Sequence, residues 1–212
     1  MKHQGELILM GTGGHGAVVA DSAVSAGFVL VGVLDEVRPK VTEAPPFGGV
    51  PWLGDPEEPQ ASFFELLDRG SRVHAAVGNS RLRRRWLEPR LDAAASIVHP
   101  SAIVSPSAEI GLGCFIGPRA VVNARAKVGV GAIVNSGAIV EHDVHVGSFA
   151  HLAPASVLLG ETRVEDNVLV GGNAVVLPGR RIGANATVGA GGVVVHDVAS
   201  DDVVRGIPAR DG

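Results

Sequence analysis

From residue 104 to residue 194 every sixth position is Val, Ile or Leu: Val104, Ile110, Ile116, Val122, Val128, Val134, Val140, Val146, Leu152, Leu158, Val164, Val170, Val176, Ile182, Val188 and Val194. A period of six fits neither one amphipathic helix nor a hairpin ladder. It fits a chain winding in triangular coils, where each flat side gives one short strand with one inward aliphatic and three hexads close a coil. The position two before each aliphatic is mostly small (Ala102, Ala108, Cys114, Ala120, Ala126, Ala132, Ala138, Ala150), as expected where a corner tucks in beside stacked aliphatics. Gly and Asn recur after the aliphatics and are expected to supply the turns, including any with positive φ. The pattern predicts a left-handed parallel β-helix of hexapeptide repeats over residues 98–212.

Residues 1–97 lack this period and read as alternating strands and helices. Strands are predicted over Glu6–Met10, Val29–Leu34 and Arg72–Val77, and helices over His15–Ala26, Glu57–Arg69 and Ser80–Ala95. That alternation predicts a small Rossmann-like α/β domain with a parallel sheet, joined to the β-helix near His99-Pro100. Pro45-Pro46 and Gly48-Gly49 mark a turn inside it. Arg83-Arg84-Arg85 reads as a solvated helix face rather than an anion site.

Composition narrows the function classes. The 212 residues carry a formal charge of −4 and no Tyr, which argues against nucleic acid as a partner. The single Cys114 has no internal disulfide partner and, at a small inward position, reads as core. The apolar stretch Leu7–Met10 is too short for a signal-peptide core, and no run of about eighteen apolar residues suggests a membrane span, so a cytoplasmic location is expected.

Gly11-Thr12-Gly13-Gly14-His15-Gly16 matches G-x-G-x-x-G between a predicted strand and helix, and Asp35 ends the second strand. Glycines let a diphosphate approach the backbone, the helix start offers unpaired N–H groups, and an acid at the strand tip can accept ribose or base hydrogen bonds. Fewer than 100 residues leave room for about one mononucleotide-binding half, which favours a nucleotide-sugar over a dinucleotide and a dehydrogenase. A tight turn of purely structural purpose is the alternative.

Glu141-His142-Asp143 interrupts a solenoid whose corners are otherwise small, and hexad counting puts His142 at a corner. Ala124 and Gly160 occupy the same corner one coil away on either side, which is expected to leave a hollow where a thioester could lie. A His with flanking acids suits a general base near neutral pH; the plainer reading is a surface His bonded between coils. His145 and His151 take outward positions on the next two faces and could converge with His142 on a metal only across a subunit interface, so no metal site is expected from them. His3, His74, His99 and His196 receive no role.

Gly11 to Gly16, Asp35-Glu36, Gly49-Val50-Pro51, Gly78-Asn79, Asn135, Glu141-His142-Asp143, His151 and Gly206-Ile207-Pro208-Ala209 together resemble the sialic acid O-acetyltransferase and PglD-type sugar N-acetyltransferase family of hexapeptide-repeat acyltransferases. The resemblance implies a homotrimer with acetyl-CoA as co-substrate, and acetyl transfer to the amine of a nucleotide-linked amino sugar, such as a 4-amino deoxyhexose. It implies that His142 is the general base and that Asp143 raises its basicity. Gly13, Gly14, His15, Asp35, Glu36, Gly78 and Asn79 would hold the nucleotide-sugar, and His151, Gly160, Gly172 and Ala190 would contact acetyl-CoA. Trp52 departs from the family's usual aliphatic. O-acetylation of sialic acid is the rival acyl transfer, and a non-catalytic nucleotide-sugar-binding scaffold is the rival of another class.

Overall fold

The computed structural model describes residues 4–37 and 45–211; His3 lies outside them. The chain divides into two compact units, Met1–Pro100 and Ser101–Gly212.

The first unit runs β1 (Gly5–Met10), α1 (Gly14–Ser25), β2 (Phe28–Leu34), α2 (Ala61–Asp68), β3 (Arg72–Ala75) and α3 (Ser80–Leu87). The strands form a parallel sheet in the order β2-β1-β3. Leu7, Ile8, Leu9 and Met10 are all fully buried, which is why the central strand is a continuous apolar run and not an alternating one. Two helices are shorter than the sequence pattern predicts, both because of proline. Pro56 and Pro59 hold 55–60 in a turn, where Asp55 Oδ1 accepts the Glu57 N–H at 2.7 Å, so α2 starts only at Ala61. Pro89 ends α3 at Leu87, and a 3₁₀ turn follows over Glu88–Ala93.

The reading of Arg83 as solvated is corrected. Arg83 is fully buried with Trp86 and Leu87 on the inner side of α3. Its Nη1 donates to the carbonyls of Val77 and Gly78 at 2.9 and 3.0 Å. These oxygens follow β3, where the ladder has ended, and the guanidinium supplies their donors.

The second unit is the left-handed β-helix. Up to Val194 its three sheets stack two-residue parallel strands eighteen residues apart. The first sheet includes Phe115–Ile116, Ile133–Val134, His151–Leu152, Leu169–Val170 and Thr187–Val188. The second has six strands, from Ile103–Val104 to Val193–Val194, and the third has five, from Glu109–Ile110 to Arg181–Ile182. Inward aliphatics from Ile116 to Val194 form one buried core with the small residues beside them, Cys114 included.

The turns differ from expectation. Positive φ falls three residues after each aliphatic, at every sixth residue from Gly113 to Gly191, and Arg119, Arg125, Asp143, Phe149, Ala155 and Glu161 adopt it as readily as Gly or Asn. A left-handed non-glycine residue costs roughly 1–2 kcal/mol. From Gly131 on, each N–H donates to a corner carbonyl one coil earlier, as in Asp143 to Ala124 at 3.1 Å and Phe149 to Val130 at 2.7 Å, whereas Arg119 and Arg125 donate to the hydroxyls of Ser101 and Ser107 at 3.1 and 3.2 Å. Glycines directly after an aliphatic serve a different need: a Cβ on Gly129 would lie 2.7 Å from Ser148 N, and one on Gly147 2.3 Å from Glu165 C.

Candidate active site

The glycine loop divides its glycines by purpose. Gly11 has φ +106°, and a Cβ there would lie 2.6 Å from Val77 Cγ1; at Gly16 it would lie 2.3 Å from the Gly11 carbonyl oxygen. These two glycines are required by the protein's own packing. Gly13 and Gly14 are exposed and would meet nothing within 4 Å. Neither protein contact nor φ demands glycine at these two positions, so their bareness suits a ligand lying against the backbone at the start of α1, whose N-cap Gly13 offers no side-chain acceptor.

The neighbouring residues brace this loop. Asp35 Oδ2 accepts from Thr12 N at 2.7 Å and from Thr12 Oγ1 at 2.6 Å, tying the tip of β2 to the loop. Trp52 Nε1 donates to the Asp35 carbonyl at 3.3 Å, so the aromatic departure sits beside the acid. Glu36 is exposed next to it. Asn79 Oδ1 accepts the Leu82 N–H at 2.9 Å and caps α3, and Gly78 gives its carbonyl to Arg83. Burial, and then the charge of Arg83, lower the His15 pKa to about 4, so its ring is neutral at pH 7.

In the β-helix, the second sheet turns into the third at a corner stacked from Ala124, His142 and Gly160. His142 and Asp143 form the turn after Ile139–Val140. The imidazole is about half exposed, at 54 %, and its Nδ1 lies 2.9 Å from Asp143 Oδ2. With Asp143 ionised, Nδ1 carries the proton and Nε2 presents its lone pair. Glu141 does not reach the ring; its Oε2 accepts the His142 backbone N–H at 3.4 Å.

The expected hollow is filled on one side. A Cβ on Gly160 would lie 2.7 Å from His142 Cε1 and 2.8 Å from Nε2, so the ring rests on the bare glycine. Sequence reasoning also missed Arg125. Its Nε and Nη2 donate to Asp143 Oδ1 and Oδ2 at 2.7 and 2.8 Å, and these bonds, ahead of the one from His142, hold the Asp143 carboxyl well below the usual carboxylate range. The signal was present, since Arg125 precedes Asp143 by eighteen residues and must lie next to it in the same corner.

The remaining sequence candidates lie along another edge. Gly172 and Ala190 follow Pro118, Ser136 and Pro154 at the corner between the first and second sheets; Gly191 N donates to Gly172 O at 2.8 Å. His151 points outward on the first sheet, with Nε2 3.2 Å from Asn135 Nδ2. Within one chain, Gly160 shares the His142 edge, whereas Gly172 and Ala190 flank the opposite side of the second sheet. That sheet carries a second missed signal: its outward positions are Ile103, Val121, Ile139, Val157, Val175 and Val193, aliphatic in every coil. Among the described residues no cluster of three or more His, Cys, Asp or Glu could hold a metal, and no helix is long and apolar enough to cross a membrane.

Residues 6–89 match the family described as the PglD N-terminal domain. Among curated proteins none matches. Among solved structures, a variant of the GDP-perosamine N-acetyltransferase from Caulobacter crescentus, in complex with CoA and GDP-perosamine, is 35% identical over 99% of this chain and 97% of that one, with a TM-score of 0.86. The acetyltransferase domain of PglB from Neisseria gonorrhoeae, in complex with acetyl coenzyme A, is 32% identical over 98% of each chain, also at 0.86. WeeI from Acinetobacter baumannii shares the fold at 23% identity and a TM-score of 0.78. With a loop domain and a six-residue solenoid matched along nearly their whole length, the chain belongs to the PglD-type sugar N-acetyltransferases, enzymes of the hexapeptide-repeat acyltransferase class.

Proposed function

We propose that this enzyme moves the acetyl group of acetyl-CoA to the amine of a nucleotide-linked amino sugar, a 4-amino deoxyhexose, with His142 as general base. The observation that carries this reading is the His142–Asp143 pair on an exposed corner, in a chain so similar to a transferase bound to CoA and GDP-perosamine. The amine nitrogen attacks the thioester carbonyl and Nε2 accepts its proton. Collapse of the tetrahedral intermediate breaks the C–S bond, and the departing thiolate takes up a proton as CoA leaves. No acyl-enzyme is required: no Ser or Cys adjoins His142, and Cys114 is buried. Gly13, Gly14, His15, Asp35, Glu36, Gly78 and Asn79 are assigned to the nucleotide-sugar, and His151, Gly160, Gly172 and Ala190 to acetyl-CoA.

A homotrimer follows from the same reasoning. The aliphatic outer face of the second sheet is suited to burial against another copy. Its two edges carry His142 with Gly160 and Gly172 with Ala190, so packing such faces around a threefold axis would bring one protomer's base to its neighbour's cofactor corner. We assign the enzyme to the cytoplasm and to glycan biosynthesis, where nucleotide-activated sugars are made.

Replacing His142 with Ala should lower turnover by about two to four orders of magnitude while the fold and CoA binding persist. CoA release is the assay, run against amino sugars and sialic acids; near wild-type turnover in the variant, or preference for a hydroxyl acceptor, would overturn the assignment.

A further inference from the structure

We propose that Arg125 is a positioning residue for acetyl transfer, acting on His142 through Asp143. This inference rests on His142 being the base. Arg125 and Asp143 occupy the same left-handed slot of successive coils, at φ 59° and 60°. The solenoid therefore sets guanidinium beside carboxylate without any loop to adjust. The contact is a two-pronged fork, Nε to Oδ1 at 2.7 Å and Nη2 to Oδ2 at 2.8 Å, and Oδ2 is also the oxygen facing His142 Nδ1 at 2.9 Å. A forked guanidinium fixes the plane of a carboxylate as a single ammonium cannot. The position of Asp143 Oδ2 in turn holds Nδ1 of the ring at 2.9 Å and so fixes where Nε2 points.

The fork has an electrostatic consequence as well. A carboxylate engaged by a cation offers less stabilisation to an imidazolium than a free one. Removing Arg125 takes a positive charge away from the Asp143–His142 pair. Other charges face the corner: Glu141 in the same turn, Glu161 on the next coil, and His145 and Arg163, which line one surface depression together with Asp143 and Glu161. All of these remain when Arg125 is changed, so the substitution isolates its own contribution.

The test is the pH profile of kcat in wild type, Arg125→Ala, Arg125→Lys and His142→Gln, using acetyl-CoA and the best amino-sugar acceptor. In Arg125→Ala the acid limb should move upward by about half to one pH unit, the plateau should fall several-fold, and KM for both substrates should stay within about twofold. Lys should return the limb toward wild type without restoring the plateau, since it supplies the charge but not the fork. An unmoved limb with an unchanged plateau overturns the proposal, as does a rise in KM alone, which would make Arg125 a substrate contact. Should the Ala variant fail to assemble, Arg125→Gln carries the same comparison. Loss of activity in His142→Gln with no effect at Arg125 refutes only this inference; retained activity in His142→Gln refutes the base assignment itself.

Discussion

Gly160→Ala probes the seat of the imidazole by adding a single methyl group. The new Cβ would sit 2.7 Å from His142 Cε1, while ordinary contact begins near 3.4 Å, so ring and methyl must separate by about 0.7 Å. The backbone tolerates alanine here, because Gly160 is not among the residues with positive φ. The ring is free to yield, being about half exposed. Folding stability should therefore change by less than about 1 kcal/mol, with alanine's lower unfolded-state entropy offsetting part of the strain. Turnover is less forgiving. A shift of this size strains the 2.9 Å bond to Asp143 and moves Nε2 off its line of approach, and misplacement by about 1 Å can cost about a hundredfold. The expected result is a fall in kcat of about ten- to a hundredfold, an unchanged thermal midpoint and little change in KM for the amino sugar. Steady-state kinetics of CoA release beside a thermal melt would measure all three. A kcat within twofold of wild type would refute the seating argument, and a rise in KM for acetyl-CoA alone would limit Gly160 to the cofactor.

Two further outcomes follow from the structure. His15 and His74 have pKa values lowered to about 4, both chiefly by burial, while their unfolded values lie near 6.5. The unfolded chain thus binds protons that the folded one does not, so stability is full above about pH 6.5 and falls as the pH drops toward 4, by at most roughly 3 kcal/mol per histidine. Denaturant titrations of wild type and His74→Gln between pH 5 and 7 should diverge with falling pH, and parallel curves would contradict this. On the second sheet, Val157→Asp should give a monomer with little turnover by light scattering and CoA-release assay; an intact, active trimer would show that another face holds the assembly.

The six-residue rhythm made the solenoid legible because each inward aliphatic answers to a core that repeats without variation. The left-handed positions were not legible in the same way. Their geometry is imposed by coil closure and supported by a bond from the N–H to the coil before, to a main-chain carbonyl for Asp143 and Phe149 and to the Ser107 hydroxyl for Arg125, so these residues can stand where sequence rules look for Gly or Asn. In the first unit, Arg83-Arg84-Arg85 gave no hint of its inward member taken alone. Phase did: Trp86 and Leu87 lie three and four residues after Arg83, and all three face inward. The glycine motif was visible, but its division into packing glycines and open ones depends on what a Cβ would meet, which spacing alone does not encode.

The placement of the proposed catalytic pair follows from how the hexad divides its constraints. Two positions of each hexad are held by the core and one by the left-handed turn. At the turn the backbone N–H is committed to the previous coil while the side chain is not. Acid and base in adjacent corner positions can therefore be introduced without disturbing the stack, and a partner for the acid is available eighteen residues earlier with no loop to rearrange. The unit of function in this half of the chain is accordingly a column of corner residues on successive coils. Arg125 and Gly160, each one coil from the Asp143–His142 turn, act upon it from either side. If that is so, changes at Arg125 and Gly160 should combine non-additively, because both act on the position of one imidazole, whereas Val157 should combine additively in protein that still assembles.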